Sequence, residues 1–180
     1  MKKTQLMVIF IIVIMVSSAI GFVYINPDAN KNTNSINYTG FDFTLTSSGK
    51  YIVNIEGKEF IFDYFPNEIK DIETPDFSLA SDKYYLITHP TDKNENIDYS
   101  LNKMGYALNL LGIRAVLACD TEEGCDPDMP VKDCSSDAFY FKKSNINKVY
   151  LQDKCIIIEG DEVSMSKGVD KIDLKLANIE

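Results

Sequence analysis

From Leu6 to Ile25 the chain reads LMVIFIIVIMVSSAIGFVYI, twenty residues without one charged side chain. As a helix such a run would span about 30 Å, the thickness of a bilayer core. The cations ahead of it are Lys2, Lys3 and the terminal amine, so the positive-inside rule predicts a cytoplasmic N-terminus and an extracytoplasmic remainder. The expected organisation is an N-terminal membrane anchor over residues 1–25, N-in and single-pass, contacting the lipid bilayer through residues 6–25. Two competing fates use the same residues. Ser17, Ser18 and Ala19 offer the small side chains a signal peptidase wants, but apolar sequence continues to Ile25, beyond the roughly 7–15 residues of a secretory h-region. Cleavage just before Leu6 would instead make the stem a pilin-like filament core, although Thr4 stands where a Gly or Ala is expected.

Polarity changes abruptly after Ile25. Residues 26–40, NPDANKNTNSINYTG, contain almost nothing to bury and predict a flexible polar linker. Within it Asn37-Tyr38-Thr39 is a glycosylation sequon, which makes Asn37 a possible glycosylation site on a translocated segment. The folded part is then residues 41–180, with 15 Lys and Arg against 26 Asp and Glu. An excess of acid on that scale argues against nucleic acid and against anionic lipid surfaces as partners.

Apolar periodicity sets the expected elements. Phe41, Phe43 and Leu45, then Tyr51, Val53 and Ile55, then Phe60, Phe62 and Tyr64 alternate with polar residues across two turns, which predicts a three-stranded antiparallel meander. Tyr84 to Thr88 is a short apolar run suited to a buried strand. Ile97, Leu101, Met104, Leu108 and Leu111 follow at helical spacing, with Asn96 or Asp98 to cap the start and Gly112 to end it, and Ile113 to Ala118 is a further strand. Strand, helix and strand with tight connections predict a βαβ unit and a parallel pair. Ala138 to Lys142 and Lys148 to Leu151, flanking Ser144 to Asn147, predict a hairpin. Ile156 to Ile158 is another buried strand, and Met165, Val169, Ile172, Leu176 and Ile179 give a last amphipathic helix. The expected class is α+β: a transmembrane helix followed by one mixed sheet, with two amphipathic helices covering it.

Cys119, Cys125, Cys134 and Cys155 are spaced C-x5-C-x8-C-x20-C, without the close pairs of a tetrahedral zinc site. An even count on a translocated domain favours disulfides. A hairpin turning about Asn145 and Ile146 would set Cys134 nearly opposite Cys155, which favours the pairs Cys134 with Cys155 and Cys119 with Cys125. The loop around these cysteines is rich in carboxylates, and Asp126 and Asp128 are weak calcium candidates, lacking any EF-hand spacing.

Support for catalysis is thin. His89, in His-Pro after a strand, is the one histidine; no nucleophile elbow, dinucleotide fingerprint or phosphate-binding loop occurs, and no cofactor is expected. The residues Ala118-Cys119, Cys125, Pro130, Cys134, Cys155 to Gly160 and the tail from Asp170 together resemble a group of uncharacterised archaeal single-pass membrane proteins with a cysteine-containing extracytoplasmic domain, over residues 80–180. That resemblance implies a cell-surface setting and assigns no activity. The expected function is a membrane-anchored extracytoplasmic binding or structural module with an unknown protein or surface partner. A subunit of a surface filament and a cell-surface hydrolase built on His89 or on a carboxylate pair are the alternatives.

Overall fold

The computed structural model describes residues 35–179. Those residues form an α+β unit with two sheets where the sequence predicts one. The first is a four-stranded antiparallel meander, β1 (Ser35–Tyr38), β2 (Phe41–Leu45), β3 (Tyr51–Ile55) and β4 (Lys58–Phe62), in sequential order. The second contains β5 (Lys83–Thr88), β6 (Arg114–Cys119), β7 (Ala138–Lys143), β8 (Lys148–Gln152) and β9 (Cys155–Gly160), in the order β6-β5-β7-β9-β8. All its pairs are parallel except β8 with β9. Helix α1 (Glu95–Leu110) joins β5 to β6, and α2 (Glu162–Leu176) follows β9.

The separation into two sheets has a local cause. Beyond Phe62 the backbone N–H groups of Asp63 and Tyr64 donate to Asp170 Oδ2 on α2, at 2.8 and 2.9 Å. A side chain therefore takes donors that would otherwise extend the ladder, and the chain leaves the sheet at the helix. At its other end the meander gains a strand. Residues 35–40 belong to the fold and not to a linker: Thr39 and Gly40 both have positive φ, 49° and 89°, the conformation of a tight hairpin turn, and β1 pairs β2 from Ser35↔Thr44 to Tyr38↔Phe41. Mostly exposed, β1 is held by its backbone ladder and by Tyr38, whose ring meets Phe43 and Phe65 edge-on. Composition does not register such an edge strand.

The expectation of a membrane-crossing helix is likewise corrected for the described residues, where no helix is long and apolar enough to cross a membrane. Both helices are amphipathic, at 16 and 15 residues. The stretch 6–25, the two cleavage alternatives and the linker residues 26–34 lie outside the described residues.

A third correction concerns β7 and β8. They do not form a hairpin: β9 lies between them, paired in parallel to β7 (Ala138↔Cys155) and antiparallel to β8 (Gln152↔Cys155). Burial explains the order. Ile156, Ile157 and Ile158 are 4% exposed or less, so β9 is apolar on both faces and takes an interior position, while β8, with Leu151 and Gln152 exposed, takes the edge. The true hairpin turns at Asp153, whose φ is 53°.

Both helices cover one face of the large sheet. Ile97, Leu101, Met104 and Leu108 of α1 and Met165, Val169 and Ile172 of α2 pack with Leu86, Phe139, Phe141, Ile156 and Ile158. Asn94 caps α1, its Oδ1 accepting from the N–H groups of Asn96 and Ile97, and Asp161 caps α2. The expected cap positions at Asn96 and Asp98 fall inside the first turn. The meander packs Phe43, Val53, Phe60 and Phe62 against Leu174, Ala177 and Ile179 at the end of α2.

Candidate functional site

Side chains alternate across a strand, so the face of the large sheet opposite the helices is fixed by the register. One cross-sheet row runs Ala118, Ile87, Tyr140, Ile157 and Tyr150; the next contains Val116, Tyr85, Ala138, Cys155 and Gln152. No helix covers this face among the described residues. Its small cluster of Ile87, Ala118, Ala138, Cys155 and Ile157 is shielded by Cys134 and three partly buried tyrosines, Tyr85, Tyr140 and Tyr150.

Those tyrosines are built into a charged surface. Lys83 and Lys132 stand over the Tyr85 ring at 4.7 and 5.0 Å, and Lys148 over Tyr150 at 5.0 Å. The Lys83 ammonium donates to Tyr85 Oη at 2.9 Å, and that hydrogen bond holds the phenol below its usual pKa. Burial, with Asp120 accepting the hydroxyl proton at 2.7 Å, pushes Tyr140 up. Burial and its bond to Glu159 at 2.8 Å do the same for Tyr150. Burial alone would raise Glu159, but the hydrogen bond from Tyr150 and the nearby Lys142 outweigh it and hold the carboxylate low.

Beside Tyr140 lies a cleft of about 780 Å³ lined by Ile87, Asp120, Lys132, Asp133, Cys134, Ser135, Tyr140, Gln152, Asp153 and Lys154. Its volume falls within the range of small-molecule sites. Asp120 Oδ1 is buried in this wall with no hydrogen-bond partner among the described residues, although the other oxygen is bound to Tyr140. An acceptor left in that state costs free energy until a donor reaches it.

One disulfide borders the cleft, through Cys134. Cys119 is bonded to Cys125 and Cys134 to Cys155, with Cα–Cα distances of 5.9 and 5.0 Å, and no described cysteine is free. These are the favoured pairs, but a different geometry makes the wider one. Parallel pairing of β7 with β9 sets Ala138 beside Cys155, and Lys154 N–H donates to Cys134 O at 3.0 Å, drawing the turn before β7 across the start of β9. The smaller bridge ties the end of β6 to a loop that packs on β5's exit, where Gly124 approaches Pro90.

The other sequence candidates lie apart from the cleft. His89 turns back on its own chain, Nδ1 lying 2.8 Å from Thr91 Oγ1, and does not line the cleft. Asp126 and Asp128 are exposed, and Asp126 Oδ1 accepts from the N–H of Asp128 at 3.0 Å. Among the described residues no group of three or more His, Cys, Asp or Glu side chains could hold a metal. Asn37 is exposed on β1, and its Nδ2 donates to Asp42 Oδ1 at 2.8 Å.

Sequence reasoning missed a second polar centre, buried where the meander meets the helices. Lys103 of α1, with a side chain 6% exposed, contacts Asp170 Oδ1 of α2 and lies 2.7 Å from Asp63 Oδ2. Asp170 is 0% exposed and Asp173 2%. Asp63 also accepts from Tyr99 at 2.8 Å and Ser166 at 3.2 Å and pairs with Lys50 at 3.1 Å. Burial would raise the Asp63 carboxyl, but its bond to Lys103 holds it at about 2. Burial dominates at Asp170, pushed up to about 6, and at Asp173, pushed well above the carboxylate range. The signal was available: Asp170, Asp173 and Lys103 directly follow the stripe residues Val169 and Ile172 or precede Met104, so all three border the buried face.

No family model, curated protein or solved structure matches the chain.

Proposed function

We propose that residues 35–179 form an extracytoplasmic binding module whose ligand is held on the helix-free face of the large sheet. The observation that carries this reading is the cleft beside Tyr140, with an unsatisfied carboxylate oxygen of Asp120 in its wall. A ligand bearing hydroxyl or amine donors supplies what Asp120 lacks, and the half-buried Tyr140 ring offers apolar surface beside it. Ser135, Gln152, Asp133 and Asp153 add further polar groups on the rim. This combination of a ring face and nearby oxygen acceptors suits a glycan. Placement outside the cytoplasm is supported by two disulfides, which a reducing compartment would not keep.

The test is titration of the 15N-labelled chain with a panel of neutral and acidic oligosaccharides. Amide shifts gathered on β7, on β9 and around Asp120 are expected, and Asp120→Asn abolishes them while leaving the spectrum of the helices intact. Shifts confined to the helical face, or binding untouched by Asp120→Asn, would remove the assignment. Alkylation of intact cells with a membrane-impermeant thiol reagent before and after an impermeant reductant tests the location. Labelling only after reduction is expected, at the part-exposed Cys125 and Cys134.

A further inference from the structure

The buried centre at the joint of the two sheets lies apart from the cleft and has the parts of a different chemistry. We propose that Lys103 and Asp170 become joined by an intramolecular isopeptide bond between Lys103 Nζ and Asp170 Cγ, with Asp63 acting as the base.

Amines and carboxylates do not condense readily in water, for three reasons: the amine is protonated, the carboxylate resists attack, and encounter is rare. Each obstacle is met by a feature of this site. Encounter is enforced, since Lys103 Nζ and Asp170 Oδ1 are in contact with both side chains shut away from solvent. Holding reactants together in this way replaces a bimolecular step by an intramolecular one.

The carboxyl is prepared for attack. Asp170 Oδ2 accepts from two backbone N–H groups, those of Asp63 and Tyr64, at 2.8 and 2.9 Å. Two convergent backbone donors on one oxygen are the arrangement that stabilises the charge developing on a tetrahedral intermediate. Burial keeps a share of this carboxyl protonated near neutral pH, which removes the charge that repels a nucleophile.

The amine has an acceptor for its protons. Lys103 is held as the ammonium because Asp170 and Asp63 outweigh its burial, so a proton must leave before attack. Asp63 Oδ2 lies 2.7 Å from Nζ and is itself fixed by Tyr99, Ser166 and Lys50; the bond that holds Asp63 at about 2 makes this proton transfer uphill and the reaction slow. Nearby Asp173 is buried as well, and burial pushes its carboxyl well above the usual range.

The step balances without a co-reactant. Nζ passes a proton to Asp63 and its lone pair forms the N–Cγ bond, pushing the Cγ–Oδ2 π electrons onto Oδ2 between the two N–H groups. Collapse restores the carbonyl and breaks the Cγ–Oδ1 bond. Oδ1, carrying the proton of the neutral carboxyl, takes one further Nζ proton relayed through Asp63 and leaves as water; the second proton lost from Nζ remains on Asp63 and passes to solvent. Nothing is oxidised or reduced. The product ties α1 to α2 at the level where the meander docks.

The full-length chain is its own test. After reduction and denaturation its mass is expected to lie about 18 Da below that of its sequence, one water lost in amide formation. Tandem mass spectrometry should find the Lys103 peptide branched onto the Asp170 peptide. Lys103→Arg should show no deficit relative to its own sequence, and a common N-terminal cleavage cancels in that comparison. Asp63→Asn, with both reacting groups present, should leave most chains unlinked. A wild-type chain with both disulfides formed and no water lost after days at neutral pH would overturn the proposal. So would a deficit that maps elsewhere or persists in Lys103→Arg, and a full deficit in Asp63→Asn would overturn the assignment of the base.

Discussion

Replacing both Cys134 and Cys155 by Ala removes the bridge that fastens the entry of β7 to the start of β9. These cysteines lie 21 residues apart, against 6 for Cys119 and Cys125. Loop closure in the unfolded chain costs more entropy the longer the loop, so the chain-entropy relation assigns ~3.4 kcal/mol to the wider bridge and ~2.4 kcal/mol to the smaller. Each bridge contains one fully buried sulfur, that of Cys155 or Cys119, so the packing lost on truncation is similar in the two and cancels in their comparison. Urea unfolding followed by far-UV circular dichroism reads the difference. With a slope of about 2 kcal/mol/M, the midpoint should fall by ~1.7 M for the Cys134/Cys155 pair and ~1.2 M for the other. The reasoning is refuted if the Cys119/Cys125 variant proves the less stable of the two, or if the wider bridge is worth less than ~1 kcal/mol.

Other perturbations probe the remaining structure. Burial, with Asp170 adding to it, holds the Asp173 carboxyl well above its usual range, so the folded state binds this proton more tightly than the unfolded chain. Its cost to stability is absent below the ordinary carboxylate pKa and grows as pH rises from there towards the folded pKa; Asp173→Asn should therefore melt higher than wild type at pH 7 and alike at pH 3. Gly168 lies inside α2, where Ala is favoured by about 1 kcal/mol, but its Cβ would stand 2.9 Å from Ile158 Cγ2 on an interior strand. Overpacking of ~1–3 kcal/mol should win, and Gly168→Ala is expected to lower the melting temperature. Asn94→Ala removes the side chain that caps two N–H groups of α1 and should cost about 1 kcal/mol in denaturant unfolding.

Much of the fold follows from period and punctuation in the chain. Alternation in Phe41 to Tyr64 specifies a meander, spacing in Ile97 to Leu108 and Met165 to Ile172 specifies two one-sided helices, and a strand at each end of α1 specifies the parallel β5–β6 pair. These are local properties, set by which face of each segment must leave water. Even cysteine count and spacing point to bridges for the same reason: they require no knowledge of neighbours. Tertiary structure decided the rest. Whether β9 pairs with β7 or follows it in a hairpin depends on which strand is apolar on both faces once the sheet exists, and Ile156 to Ile158 settle that only by competition with Lys148 to Gln152 for the interior position. The edge strand at Ser35–Tyr38 exists because β2 offers an unpaired backbone, a fact absent from its own polar sequence. Lys103, Asp63 and Asp170 are far apart in the chain, and each reads singly as a solvated charge. They become one ion-paired cluster only because the docking of the meander on α1 and α2 shuts Lys103 and Asp170 away from water where they meet.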